Sequence, residues 1–564
     1  MAKVRIQCDG ATIPSRWRNS SWDRTEEIRQ WGHKADLTLR IENLTHALLT
    51  GVGGRATDLV RIASYAYAAD QLVSRGGEAD VYGRQWRREF AVCLPVNEPV
   101  FWNRAGIRRR LQETLSFLTE DRWDFAFSEA PAEADQLPLK LGEKELHGTP
   151  DSVTLFSGGA DSLCAAVEAV QKGRRPVLVS HRSAPNVSSR QQQLVKELRR
   201  RFPEWDFPHV SVWVHRMGSE PKETTQRTRS FLFACLGAVV AGELQLQDVA
   251  LPDNGVVSLN LPINDQLTGA LASRSTHPKF LALFNDLLQS VLRRPVLVSN
   301  PLWKRTRSET LDVLRRAKAM ELLQETVSCS NARGRTLVQP HCGVCSQCVD
   351  RRFGSVAAGL EEHDLAERYG VDIFRHSLPE GPARSLLISY ITFARQVRKA
   401  SPDDLFNLFP QLADCILSGD PDPGQTAGVV TDLLQRHAKT TLGVLEEQII
   451  GQGAMAAAGE LPQDGLLTLA ISRVVVPSGN FLHSPDFRSV VWKGDLMHFS
   501  PGQAAAIEVL FDAYNSGSPE VGQGHVLEST GSEAHRLRDL FKRSPAWETL
   551  IVRGEGKGTF RLAL

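Results

Sequence analysis

The segment Val153-Thr-Leu-Phe-Ser-Gly-Gly-Ala-Asp-Ser162 constrains this chain more than any other. A short apolar run, 153–156, stops at Ser157-Gly158-Gly159, and a helical pattern opens at Ser162 and continues to about residue 172. Glycines let a backbone approach phosphate closely, and a helix N-terminus offers unpaired N–H groups and the positive end of a dipole. Ser157 and Ser162 add hydroxyl donors, and Asp161 adds a carboxylate suited to Mg2+. The Gly-Lys-Ser/Thr ending of a Walker A loop is absent. The same residues also read as a plain strand–turn–helix corner with a Ser/Asp cap.

The surroundings extend this pattern. Runs at 176–180, 210–214 and 248–251 read as strands, and 191–201 and 231–244 as helices. Strands alternating with helices predict an α/β domain over 149–365, built on a parallel sheet covered on both faces. Residues 1–148 mix strand-like runs (3–8, 34–41) with helical spacing (57–75, 107–118) and predict an N-terminal α+β accessory domain. An acidic, Ala- and Pro-rich stretch at 129–145 suits a linker. Residues 366–496 predict a mainly helical region with a Gly/Pro/Asp break at 419–424. Residues 497–564 predict a winged-helix-like domain: helices at 501–514, 526–529 and 533–542, then a hairpin of 549–552 with 559–562. A length of 564 residues accommodates about three or four such domains.

Four of the nine cysteines cluster as Cys329-x12-Cys342-Gly-Val-Cys345-Ser-Gln-Cys348. Four thiolates at this spacing suit tetrahedral Zn2+, and a site filled by protein on all sides is structural. His341 is a possible substitute ligand. A set of reduced core thiols and an iron–sulfur cluster are the other readings.

Lys and Arg total 66 against 65 Asp and Glu, a net charge of +1, which excludes a strongly basic nucleic-acid-coating protein. The tail from 497 carries seven basic and eight acidic residues, which disfavours a DNA-reading module. No apolar stretch approaches the roughly 20 residues of a membrane span, and residues 1–7 lack a signal-peptide core. The expected location is cytoplasmic, with no membrane partner.

The loop and the cysteine cluster together resemble the 7-cyano-7-deazaguanine synthase (QueC-like) family, over residues 150–362. The shared features are the Ser-Gly-Gly-x-Asp-Ser PP-loop and the end His341-Cys-Gly-Val-Cys-Ser-Gln-Cys-Val-Asp-Arg-Arg-Phe353. Between them, Arg227-Thr-Arg229-Ser-Phe-Leu-Phe233 and Pro301-Leu302 followed by Thr306-Arg307-Ser308-Glu309 look like family segments, with Arg307 standing where the family usually has Lys. The resemblance implies a doubly wound, adenine nucleotide alpha-hydrolase-like fold, ATP and Mg2+ as cofactors beside structural Zn2+, and adenylation of a 7-carboxy-7-deazaguanine. It also implies site residues. Ser157, Gly158, Gly159, Asp161, Ser162 and, after the second strand, His181 are the nucleotide candidates. Arg227, Arg229 and Arg307 are the candidate cations for the leaving pyrophosphate, acting with Asp161 and Ser162. Asp253 is a candidate for reading a guanine-like edge, with Asn254 beside it, although Asp-Asn-Gly is equally a turn. Arg274 and His277 stand where the family has its substrate loop, with different residues.

The added length is similar to the enlarged QueC-like proteins of the Qat and type IV CBASS anti-phage systems. Those are thought to join a deazaguanine to a partner protein's N-terminal amine. That resemblance implies an ATP-dependent amide ligase in bacterial defence with a protein partner from the same operon. An ordinary nitrile-forming (preQ0) synthase and a PP-loop enzyme that modifies nucleic acid are the alternatives.

Overall fold

The computed structural model describes residues 2–18, 20–30, 37–42, 54–75, 87–130, 149–182, 185–216, 221–223, 225–263, 274–417, 420–458, 460–474, 481–483, 487–492, 495–515, 519–531, 534–542, 544–556 and 558–564. The expected linker from residue 131 on, the start of the expected strand at 34–41, and residue 419 of the expected break lie outside them. The chain forms two compact units, Met1–Thr468 and Leu469–Leu564.

Among its described residues the first unit holds ten strands: β1 (Ala2–Cys8), β2 (Arg24–Ile28), β3 (Leu37–Glu42), β4 (Arg88–Val96), β5 (Arg122–Glu129), β6 (Ser152–Leu155), β7 (Pro176–Arg182), β8 (His209–Arg216), β9 (Asp248–Ala250) and β10 (Leu297–Ser299). One sheet, ordered β2-β1-β4-β5, is parallel throughout. The other is ordered β10-β9-β6-β7-β8-β3 and is parallel except at β3, which runs antiparallel to β8. β6 and β7 are buried at every position but Arg182 because both faces of the sheet are covered. From β6 the chain steps outward through β7 and β8, then crosses back to β9 and β10 on the other side. The carboxyl ends of β6 and β9 therefore flank a crevice of the kind that holds ligands in open α/β sheets.

The division expected at residue 148 is not a structural boundary. β3 pairs with β8, more than 150 residues downstream. Helix α1 (Gly54–Leu72) packs against β2 and β4 of one sheet and β3 and β8 of the other. That position explains why it is buried nearly all round and shows no amphipathic stripe. Its Asp70 accepts from the backbone N (3.0 Å) and Oγ1 (2.9 Å) of Thr228, and so anchors the start of the helix Arg229–Glu243.

The cover of the central sheet matters for the site. α2 (Ala105–Thr119), α3 (Ala160–Gln171), α4 (Pro185–Arg201), α5 (Arg229–Glu243) and α6 (Pro278–Val291) follow in order, and α5 lies on β6, β7 and β9. α7 (Arg307–Arg316) packs on α3, and α8 (Ser346–Ala357) packs on α7. The helical region then adds α9 (Pro382–Val397) and α10 (Pro423–Gly451), which pack on each other, with α10 also against α8.

The second unit corrects the expected helical region at its end. Phe481–His483, Ser489–Trp492 and Asp495–His498 form an antiparallel sheet. The helix Pro501–Asn515, the helix Gln523–Glu528 and the hairpin of Ile551–Arg553 with Thr559–Leu562 agree with expectation. Of the basic helix expected at 533–542, residue 533 lies outside the described residues, and Leu537–Leu540 is the helical part of the rest. Apolar residues of these elements, Ile507, Leu510, Val526, Phe541 and Ile551 among them, form the unit's own core.

Candidate functional site

Ser157–Ser162 occupies the turn between β6 and α3. Gly158 holds φ +85°, a backbone that a side chain makes costly. Gly159, the N-cap of α3, has no side chain to cap the helix; Gly159 N donates to Ser157 Oγ (3.3 Å), while the dipole end still suits an anion. The loop is internally braced: Ser157 Oγ donates to Ser162 Oγ (3.2 Å), Ser162 Oγ to the Gly159 carbonyl (2.9 Å), and Gln191 Nε2 to the Ser157 carbonyl (3.1 Å).

Asp161 points away from the loop into a buried cluster. Its carboxylate pairs with Arg307 Nη1, and its Oδ2 accepts from the backbone N (3.1 Å) and Nδ2 (3.4 Å) of Asn254. Arg307 Nε donates to Asp350 Oδ2 at 2.7 Å, and Asn254 Nδ2 reaches the same oxygen at 3.2 Å. Asp161, Arg307 and Asp350 are 5%, 3% and 4% exposed. Burial raises the Asp161 pKa, Arg307 opposes that, and the Asp350 charge adds to it, leaving it above the ordinary value. Burial works against the Arg307 charge too, yet the two carboxylates hold its pKa above the usual arginine range. As arranged, Asp161 orders Arg307 and the turn at Asn254. Both its oxygens are engaged, Oδ1 by Arg307 and Oδ2 by Asn254.

Asn254 also caps the short helix Gly255–Leu259, with Oδ1 accepting from Val256 N (3.1 Å) and Val257 N (3.2 Å). Asp253 beside it is half-buried. Its Oδ2 accepts from Thr276 Oγ1 (3.1 Å), and Asn300 Nδ2 holds its carbonyl at 2.6 Å. Burial first, and then the Asp161 charge, push the Asp253 carboxyl up to about 7, against the pull of Arg307 and the exposed Arg229.

Three of the expected residues stand elsewhere. Arg227 donates to the Thr119 carbonyl (3.0 Å) and to Glu120 (3.2 Å) at the end of α2, and burial lowers its pKa to about 10. Arg274 Nη2 donates to the same Glu120 (2.7 Å), and Nη1 donates to the Phe117 carbonyl (3.1 Å). His277 caps α6 by accepting from Lys279 N (3.2 Å). Ser273, before Arg274, lies outside the described residues. His181, expected just after the second strand, sits inside β7, 5% exposed, with Nε2 at 2.9 Å from the Val214 carbonyl and its ring edge-on to Tyr67.

The four cysteine sulfurs lie within 4.8 Å of one another. Cys342 and Cys348 are 3.8 Å apart, and Zn–S bonds of about 2.3 Å in a tetrahedron place sulfurs about 3.8 Å apart. The residues fit a structural metal such as Zn2+. His341 is not in the set; it is fully buried and stacks on Tyr369 at 4.8 Å.

The cluster is joined to the loop. Val327 N donates to the Gly158 carbonyl (3.0 Å), and Ala160 N donates to Ser328 Oγ (3.4 Å), one residue before Cys329. Arg351, three residues after Cys348, donates to Ser328 Oγ (3.4 Å), Thr326 Oγ1 (2.6 Å) and Asp364 Oδ1 (2.9 Å). Asp350, Asn300 and Ser328 escaped the sequence reading. Only Asp350 left a trace there, as an acidic residue on the apolar face of a helix just after a metal-ligand cysteine.

No protein-family model matches this chain, and no curated protein matches its sequence. Among the described residues no helix is long and apolar enough to cross a membrane.

Proposed function

We infer that this chain is an ATP-dependent ligase of the PP-loop type. It adenylates the carboxylate of a 7-deazaguanine and passes the acyl group to an amine, with a partner protein's N-terminus as the acceptor, in bacterial anti-phage defence. The observation that carries this reading is the glycine-capped start of α3 after Ser157-Gly158-Gly159, at the strand-order reversal, with Arg307 held beside it by Asp161 and Asp350. Such a turn would take phosphate oxygens on backbone N–H groups and on the Ser157 and Ser162 hydroxyls.

In the reaction a carboxylate oxygen attacks the α-phosphorus of ATP and pyrophosphate leaves. The amine then attacks the acyl carbon, AMP leaves, and a proton is released. Asp253 and Arg229, next to the crevice, would meet the substrate. The helices of 366–458, of which α10 packs on α8, and the second unit exceed what a small amine requires, and this extra surface supports a macromolecular acceptor.

The test is mass spectrometry of the protein with ATP, Mg2+, 7-carboxy-7-deazaguanine and ammonium. Adenylate or amide accumulating with AMP and pyrophosphate supports the ligase. Efficient conversion to the nitrile assigns a base-making synthase instead. Unconsumed ATP overturns the reading and turns attention to RNA substrates.

A further inference from the structure

A half-open cavity of about 60 Å3 lies where the short helix Gly255–Leu259 meets α8, α9 and α10. Phe393, Leu434 and Val257 form apolar wall, and Tyr390 and Asp350 line it as well. His437 of α10 completes the lining. This histidine is 4% exposed, and its Nε2 is buried without a hydrogen-bond partner. Leaving such a nitrogen unpaired costs about 1–3 kcal/mol, so its burial beside an empty space calls for an occupant.

The geometry narrows what that occupant is. The His437 ring is fixed edge-on to Tyr390 (centroids 5.3 Å apart, 88°) and tilted against Phe393 (6.3 Å). Asp350 gives Oδ2 to Arg307 and Asn254, whereas its Oδ1 receives a long 3.4 Å bond from Tyr390, which leaves room for a closer donor. Asp350 shares the one Arg307 cation with Asp161. Burial keeps the His437 imidazole below its ordinary pKa, hence neutral at pH 7. A small ion entering this apolar-walled space would give up most of its hydration. The space equals about four or five water-sized spheres, or one small ring.

The geometry points to a binding site for a small, uncharged nitrogen heterocycle, its ring against Phe393 and Leu434 and its N–H on His437 Nε2 or Asp350 Oδ1. This site is separate from the phosphate turn and does not depend on the nucleotide reading. It communicates with that turn through Asp350, which both lines the cavity and holds Arg307.

The test uses the full-length protein and 4-methylpyrazole as probe, with binding read by saturation-transfer NMR. 1,4-Dimethylpyrazole, which lacks the N–H, is the control, and acetate and methylammonium are the charged competitors. Saturable binding of 4-methylpyrazole is expected. N-methylation of the probe and His437→Phe should each weaken it about tenfold, the loss of one hydrogen bond. Val257→Phe, at a half-buried position on the rim, should abolish binding with the melting temperature kept. Absence of saturable binding, equal binding of the dimethyl probe, or equal displacement by either ion overturns the proposal. If His437→Phe fails to fold, the probe pair on the unaltered protein and Val257→Phe still decide it.

Discussion

Arg307 Nε donates to Asp350 Oδ2 at 2.7 Å while the other end of the same guanidinium pairs with Asp161. One cation thus ties α7 to α8 and to the first turn of α3. All three groups are buried, so the attraction acts in a low dielectric, and the loss of one partner strands the others. Arg307→Ala is expected to destabilise the first unit by about 3–5 kcal/mol in denaturant unfolding. Arg307→Lys keeps the charge but has no fork to span two carboxylates. It should retain most of the stability and lose most of the ATP–pyrophosphate exchange. Equal exchange by the Lys variant and the parent would remove Arg307 from the site.

The same arginine depends on a glycine. A Cβ placed on Gly354 would come within 2.1 Å of Arg307 Cγ, deep inside van der Waals contact. α8 therefore lies close to α7 only because position 354 has no side chain. Gly354→Ala should cost about 1–3 kcal/mol despite its better helix propensity, and should move Arg307 off Asp161. A melting temperature at or above that of the parent would show that α7 and α8 separate without strain.

The turn at Ser157–Ser162 and the four cysteines were legible because each is a local pattern whose chemistry is written in adjacent residues. Arg307 was singled out only through the resemblance of the segment Thr306-Arg307-Ser308-Glu309 to the family. Asp350 was not, because its meaning comes from Asp161 and Asn254, 189 and 96 residues away in sequence. β3 was misassigned on similar grounds: alternation shows a strand, but nothing in residues 37–42 names β8 as its partner. His181 was placed after the second strand because the strand-like run was ended at residue 180, yet pairing with β8 carries β7 through Arg182. The strands of three or four residues between 481 and 498 are too short to show alternation at all.

The cysteine cluster and the phosphate turn should fail together. Val327 and Ser328 hold Gly158 and Ala160, and Cys329 follows them directly. Purified protein is expected to carry one zinc per chain by atomic absorption. Chelation or Cys348→Ser should lower the melting temperature and raise amide hydrogen exchange over 157–162, even without nucleotide. Exchange that rises around 342–348 alone would show that the metal braces only its own loop.

Asp253 sets a pH dependence whose sign follows from its raised pKa. Unfolded, the carboxyl titrates near 3.8; folded, it titrates near 7. Between those values the unfolded chain has released a proton that the native one keeps, so stability falls as pH rises from about 4 to 7 and levels off above. The group is half-buried, and solvent screening limits the effect to about 1 kcal/mol. Asp253→Asn cannot ionise, and its amide can still accept from Thr276. Urea unfolding at pH 5 and pH 8 should therefore show the parent losing more stability than the Asn variant, and the variant the more stable of the two at pH 8. A parallel loss in both proteins would place the Asp253 carboxyl in the ordinary range and free it to meet substrate as a permanent anion.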